Sequence, residues 1–464
     1  LISTLTPITG GAVPYTHSLF AERRQSKACG PDPYFASERT NLVSMIRFTR
    51  FTRFTRFAGL LTLALILAPS GVSAQSSAPN AAASAGLTLT RAKPSAVGMS
   101  NKLVPRLDSA IGAAIADHAS PGATIAVARR GKLVLLRGYG HTDWAKGAPR
   151  TTDSTMYDLA SLTKVVATTT SAMILEEEGK LDINRTVASY LPEYDVPDKR
   201  TITVRMLLTH TSGIRSNFPL WKDAKGREQY FAGMVTFPLV REPGSAVEYT
   251  DWNMVLMQFI IERITGQTLD QFVQSHVFEP LGMRDTRYNP PETLKPRIAP
   301  TETEDFRGGQ VWGVVHDETA WALGGVSGNA GLFSSARDLA VFVQMLLNGG
   351  SYGGTRILKP STVARWTARQ RPDASRALGW DTPSPQSSAG RFFSPRSFGH
   401  TGFTGTSIWA DPERELFVVL LTNRVNPTRD NQKIGPLRRA VADIIEQSVL
   451  DSPLRQWEEV PGRP

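Results

Sequence analysis

Two β-rich hairpins near opposite ends of the chain, separated by a long and mainly helical stretch, limit the folds open to it. Residues 124–129 and 132–139 are β-rich runs joined at Arg130-Gly131, and residues 407–410 and 416–422 flank the turn Asp411-Pro412-Glu413-Arg414. Between them the apolar spacing is helical over 162–178, 204–210, 253–265, 269–277 and 336–347, with Gly179, Gly213, Gly266 and Gly349-Gly350 as stop signals. A further helix, capped by Ser100 and running to about His118, carries Leu103, Leu107, Ile111, Ala114 and Ile115 on one face, and an amphipathic helix at about 436–450 closes the chain. The expected fold class is therefore α/β (α+β): an antiparallel sheet built from both chain ends and flanked by helices, with an inserted all-helical subdomain at about 185–330.

The first 74 residues read differently. Met45 is followed by Arg47, Arg50, Arg53 and Arg56, an apolar run over 57–68, and the small residues Val72-Ser73-Ala74. A membrane span needs about 20 apolar residues, and this run stops at Pro69. The pattern predicts a signal peptide over 45–74, cleaved near Ala74, and a secreted or periplasmic product with no stable membrane anchor. Residues 1–44 are expected to be an untranslated or unstructured extension, 75–94 a flexible leader, 95–450 the folded domain and 451–464 a tail. The net charge of +10 falls to +5 without residues 1–74, and no block of like charges follows, so nucleic acid is not an expected partner. Cys29 is the only cysteine and the seven histidines show no HExxH or paired ligand spacing, so the expected cofactor and metal complement is none. No phosphate-binding glycine loop appears either.

The chemistry begins at Ser161-Leu162-Thr163-Lys164. One helical turn puts both side chains on the same face, so the lysine ammonium can reach the hydroxyl, and the helix N-terminus favours negative charge near Ser161. A serine is a poor nucleophile until a base takes its proton, and a lysine can serve or can hold another base ionised. Alone the spacing is also that of a capped helix with a solvated lysine. Gly349-Gly350-Ser351-Tyr352-Gly353 matches a nucleophile elbow, but it follows a helix instead of joining a strand to one, and is read as a loop.

Two further clusters give Ser161 company: Tyr249-Thr250-Asp251 and His400-Thr401-Gly402. This ordered trio resembles the active-site set of the serine β-lactamase and penicillin-binding protein superfamily, most closely its class C β-lactamase-related group. The likeness covers nearly all of about 95–450, including Thr203 to Gly213 and the Gly-Val-Ser-Gly-Asn-Ala-Gly-Leu-Phe-Ser run at 325–334. The resemblance implies Ser161 as acyl-forming nucleophile, Lys164 as the buried cation beside it and Tyr249 as the phenol of the proton-handling pair, with either Lys164 or Tyr249 as initial base. It implies an oxyanion hole from the backbone N–H groups of Ser161 and Phe403, with Thr401 and Gly402 in support.

His400 stands where many relatives carry lysine, and is expected to be an electrophilic or carboxylate-orienting donor whose charge near pH 7 is conditional. Asp251 replaces the usual asparagine; it either pairs with Lys164 or caps the helix that begins near Asn253. His210 is expected to bond the carbonyls that end its helix. His316-Asp317-Glu318 resembles a stretch of the peptidoglycan-related branch or caps the next helix, and Asn329 replaces a histidine common in its signature. The expected function is an exported serine hydrolase acting through a Ser161 acyl-enzyme on cell-wall peptide, β-lactam or ester bonds. A carboxylesterase and a non-catalytic module that binds wall fragments or a partner are the alternatives.

Overall fold

A computed structural model describes residues 88–216 and 218–456. The expected extension, the signal peptide, most of the leader and residues 457–464 of the tail lie outside the described residues. Six strands form the main sheet: β1 (Thr90–Arg91), β2 (Gly122–Arg129), β3 (Lys132–Gly140), β4 (Phe398–Thr401), β5 (Ser407–Asp411) and β6 (Leu416–Thr422). Their spatial order is β1-β3-β2-β6-β5-β4, antiparallel throughout except that β1 runs parallel to β3. The two ends of the chain meet at the β2–β6 seam, where Val127 lies opposite Val418.

The helices in chain order are α1 (Leu103–Ala116), α2 (Thr170–Glu177), α3 (Val204–Leu208), α4 (Gly226–Thr236), α5 (Asp251–Thr265), α6 (Leu269–Val273), α7 (Glu318–Ala322), α8 (Ala336–Leu347), α9 (Pro360–Thr367) and α10 (Ile434–Glu446). Successive strand residues point to opposite faces, and β2, buried along its whole length, feeds two cores. Ile125 and Val127 pack with Leu103, Leu107 and Ile111 of α1 and with Leu437, Val441 and Ile445 of α10. Ala126 and Ala128 face the other core, which α2, α5 and α8 share. Small residues on that face let the helices approach closely, and each fully buried Val, Leu or Ile contributes about 1.5–3 kcal/mol.

Several expectations need correction. The segment read as leader is already in the fold at its end: β1 pairs with β3, and a 3-10 turn occupies Pro94–Val97. The segment read as tail starts tied down, because Asp451 pairs with Arg129 (2.6 Å) and Arg130 (2.8 Å). The insert is not all-helical, since it holds the strand Arg287–Tyr288 and the ribbon Thr303–Glu304 with Gly309–Gln310. Ser351–Tyr352 pairs with Thr355–Arg356, so the elbow-like sequence is a small hairpin after α8.

A second small sheet positions the site. Leu332–Ser335 is its middle strand, flanked by Arg287–Tyr288 and by Met156–Asp158. From Asp158 the chain enters a 3-10 turn (Ala160–Leu162), then a π-helical turn (Lys164–Thr169), then α2. The predicted 162–178 helix thus exists in three successive geometries, and the wide π turn falls at the lysine, as such turns often do at functional sites.

Candidate active site

Ser161 sits in a strained entry turn. Ala160, just before it, has φ +47°, a left-handed conformation that costs a non-glycine residue about 1–2 kcal/mol. Asp158 holds it there by accepting the Ala160 N–H at Oδ1 (2.8 Å). The carbonyl of the intervening Leu159 accepts the Thr406 hydroxyl (2.9 Å), which ties this turn to the β4–β5 connection.

Lys164 is fully buried, and its three ammonium protons have three acceptors: Ser161 Oγ (2.8 Å), the Asn329 carbonyl (3.0 Å) and Asp251 Oδ1 (2.7 Å). Burial alone would lower its pKa, but Asp251 and Tyr249 outweigh that and hold it above the ordinary lysine range. This environment favours the ammonium form, which donates to Ser161 Oγ. Of the two readings left open for Asp251, the ion pair is the one present. The cap of α5 is Thr250, whose hydroxyl accepts the Trp252 N–H (3.3 Å), so the helix begins two residues before the sequence pattern suggested.

Tyr249 lies between cations and histidines. The Lys164 ammonium and the Arg376 guanidinium each sit 5.1 Å from its ring centre, His210 at 4.5 Å and His400 at 6.0 Å. The His210 ring does not bond the helix carbonyls, although its backbone N–H donates to that of Leu207 (3.2 Å). Its Nδ1 accepts from Asn253 Nδ2 (3.1 Å) and from the Thr250 N–H (3.4 Å), so it braces the turn that carries Tyr249. His400 also departs from expectation: Nδ1 donates to the Thr401 carbonyl (2.8 Å), which leaves Nε2 as a bare acceptor. Burial, then the charges of Arg376 and Lys164, push its pKa well below the usual histidine value, so at pH 7 it is neutral and not a conditional cation.

Ser161, Tyr249, Arg376, His400, Phe403 and Arg438 line one cavity of about 470 Å³, with Thr401 and Gly402 on its wall. Gly402 admits no side chain, because a Cβ there would lie 2.3 Å from the Leu159 carbonyl oxygen. Arg438 donates to the carbonyls of Gly402 (2.7 Å) and Thr406 (2.8 Å). Arg376 has no carboxylate partner among the described residues.

Sequence reasoning passed over Arg376, Arg438 and the backbone of Asn329. The first two lie outside any motif. The Asn329 carbonyl binds Lys164 whatever the side chain, while its amide donates to Asp317 Oδ1 (3.0 Å). Asp317 in turn caps α7 through the Ala320 N–H (2.8 Å), so the capping reading of that stretch holds for this residue. Glu302, Glu304 and His316 bring metal-ligand atoms within 4.8 Å of one another. Arg429 already supplies a cation there, with Nε 2.6 Å from Glu302 and Nη2 2.8 Å from Glu318. The donor set is thus matched by a guanidinium and does not call for an ion.

Comparison with known proteins bears on the fold and the chemistry together. Residues 107–443 match the family described as Beta-lactamase. A Salmonella typhimurium protein named "Putative D-alanyl-D-alanine carboxypeptidase" is 36% identical over 385 residues, covering 75% of this chain and 89% of its own length. Among solved structures, a penicillin-binding protein homologue from Caulobacter crescentus superposes with TM-score 0.60 at 23% identity, covering 75% of this chain and 99% of that one. A class C beta lactamase gives TM-score 0.60 at 18% identity, covering 74% and 98%. The chain belongs to the beta-lactamase family and is a serine hydrolase.

Proposed function

We propose that this protein is an exported D,D-peptidase, secreted or periplasmic, which releases a C-terminal D-alanine from cell-wall peptides through a Ser161 acyl-enzyme. The observation that carries the reading is a guanidinium without a carboxylate partner, Arg376, in the same cavity as a serine bonded to a buried ammonium. A terminal carboxylate is what such a guanidinium would bind, and the 36% identical relative supports the same substrate class by its name.

In this reading Tyr249 takes the Ser161 proton as a phenolate that the Lys164 ammonium stabilises. Ser161 Oγ then attacks the scissile carbonyl, and the N–H groups of Ser161 and Phe403 hold the oxyanion. Collapse breaks the C–N bond, Tyr249 returns its proton to the leaving amine, and a water activated by the same phenolate frees the acid and regenerates Ser161. Neutral His400 offers Nε2 as an acceptor for a substrate N–H.

The test is the intact mass of the purified protein after brief exposure to a penicillin, with Ser161→Ala in parallel and D-alanine release from a D-Ala-D-Ala peptide measured beside it. A Ser161-dependent adduct with D-alanine release supports the reading. Hydrolysed drug without adduct or D-alanine release makes it a β-lactamase, and turnover of short acyl esters alone makes it a carboxylesterase. No turnover of any acyl substrate leaves a binding module.

A further inference from the structure

Behind Phe403 lies a buried charged cluster that the reaction above does not use. Glu302 accepts from the Arg429 backbone N–H (2.7 Å), from Arg429 Nε (2.6 Å) and from His316 Nε2 (2.8 Å). Its pKa is held at about 2, because these bonds outweigh the burial that would raise it. The His316 ring lies 5.8 Å from the Phe403 ring at 20°. Arg424 sits with its guanidinium 4.4 Å from the centre of the Phe403 ring, and its Nε donates to the Phe403 carbonyl (2.8 Å). Its Nη1 is fixed on the carbonyls of Arg429 (2.8 Å) and Asn431 (2.6 Å).

The same cluster reaches the other side of the site. The His316 backbone N–H donates to Asp158 Oδ2 (2.7 Å), and Asp158 Oδ1 holds the strained Ala160 just before the nucleophile. One hydrogen-bonded unit therefore touches both the Phe403 peptide and the Ser161 turn. Phe403 follows a glycine and is 46% exposed; Arg438 holds the Gly402 carbonyl of the peptide that carries its N–H (2.7 Å), while Arg424 and His316 hold its own carbonyl and ring from the other side. Two peptide donors stabilise an oxyanion only when they are held in place before charge develops.

We infer that Arg424 and His316, anchored on Glu302 and Arg429, are positioning residues that hold the Phe403 N–H in the oxyanion hole and lock it to the Ser161 turn. The inference rests on the acyl-enzyme reading above. The experiment uses the full chain with Arg424→Gln, Arg424→Lys and Glu302→Gln, and Arg365→Gln on α9 as a control outside the cavity. Active sites are counted by penicillin adduct, and an aryl boronic acid, whose adduct places an oxygen in the oxyanion position, reports the hole directly.

Arg424→Gln is expected to lower kcat per titrated site by roughly 10- to 100-fold, less than outright loss of a donor, with KM within about twofold and the boronate Ki raised by the same factor as kcat falls. Arg424→Lys recovers part of the loss, and Arg365→Gln leaves kcat, KM and Ki unchanged. A lowered Tm with kcat and boronate Ki within about twofold of wild type overturns the inference and leaves a merely structural role. If Arg424→Gln does not fold, Glu302→Gln decides by the same two readouts, with an expected kcat loss of about three- to tenfold. A wild-type protein with neither turnover nor a Ser161-dependent adduct fails the acyl-enzyme reading itself, a result distinct from a variant that matches an active wild type.

Discussion

Replacing Asp251 by asparagine keeps the side chain's shape and removes a charge 2.7 Å from the Lys164 ammonium. At that separation and an effective dielectric of ~20 the bare attraction is about 6 kcal/mol. Asp251 is 38% exposed, so water already screens much of it, and about 2–3 kcal/mol is a reasonable net loss. At about 1.4 kcal/mol per pKa unit this lowers the Lys164 pKa by roughly 2 units. The sign follows from the causes: burial works against the ammonium, while Asp251 and Tyr249 raise its pKa above the ordinary lysine value. A group raised in this way contributes stability that is fully present below its unfolded pKa and lost as pH climbs through the folded one. Asp251→Asn should therefore be less stable than wild type in urea by about 2–3 kcal/mol, by the same amount at pH 6, 7.5 and 9. The alkaline limb of kcat/KM, which reports loss of the Lys164 proton, should move down by about 2 units into a range where it can be measured. Equal stability within about 0.5 kcal/mol, together with an unmoved limb, would refute the electrostatic role of Asp251.

Gly402→Ala should reduce turnover at least about 100-fold and cost about 1–3 kcal/mol by denaturant titration, because the new methyl meets the Leu159 carbonyl two residues from Ser161. The pKa values of His210 and His400 are both well depressed, chiefly by burial, so the stability they contribute is present above the unfolded value near 6.5 and lost as pH falls below it. Each steepens the acid loss by up to about 1.4 kcal/mol per pH unit, and His400→Gln should remove one such share between pH 6.5 and 5.5. Asp338 acts in the opposite direction: burial raises it to about 6, so folding favours its protonated form and its penalty is relieved as pH falls from 6 toward 4. Asp338→Asn should be more stable than wild type at pH 7 and lose that advantage by pH 4, since one oxygen already accepts from both the Asp285 N–H (2.7 Å) and the Thr286 hydroxyl (2.9 Å). Asn329→Ala should lower thermal stability by about 1–3 kcal/mol while the Lys164–Ser161 contact survives, because it strands the Ser327 hydroxyl and takes one of the two donors from Asp317 but leaves the carbonyl that binds Lys164.

What could be read from the amino acids alone was whatever the backbone fixes locally. Ser161 and Lys164 are legible because three residues of helical chain bring them together in any fold, and the two hairpins because alternation and turn residues are local properties. Tyr249 and His400 became legible only through the order of three clusters. Asp251 shows where local reasoning stops: an acid near a helix start is a capping signal, and its true partner depends on a lysine far away in sequence that the chain fold alone delivers. The charge of His400 was out of reach for the same reason, since it is set by burial and by Arg376 and Lys164, none of which its neighbours reveal.

The residues least visible in sequence are those bound through backbone atoms or through long-range charge, and they surround the candidate oxyanion hole. Asn329 serves Lys164 with a carbonyl, Arg424 serves Phe403 through its carbonyl, and Arg438 does the same for Gly402. Any residue has a carbonyl, so the accepting positions carry no side-chain signal, and the arginines that donate to them lie outside the motifs. Glu302, Glu304, His316 and Glu318 come together only in the fold, around Arg429, which lies more than a hundred residues later in the chain. A guanidinium in that position draws the carboxylates together, because its planar fork can bond several of them at once where a lysine would present a single point charge. Arg429→Lys would then keep the sign of the charge and lose the geometry, and by the reasoning applied to Arg424 its effect should appear in kcat before it appears in KM.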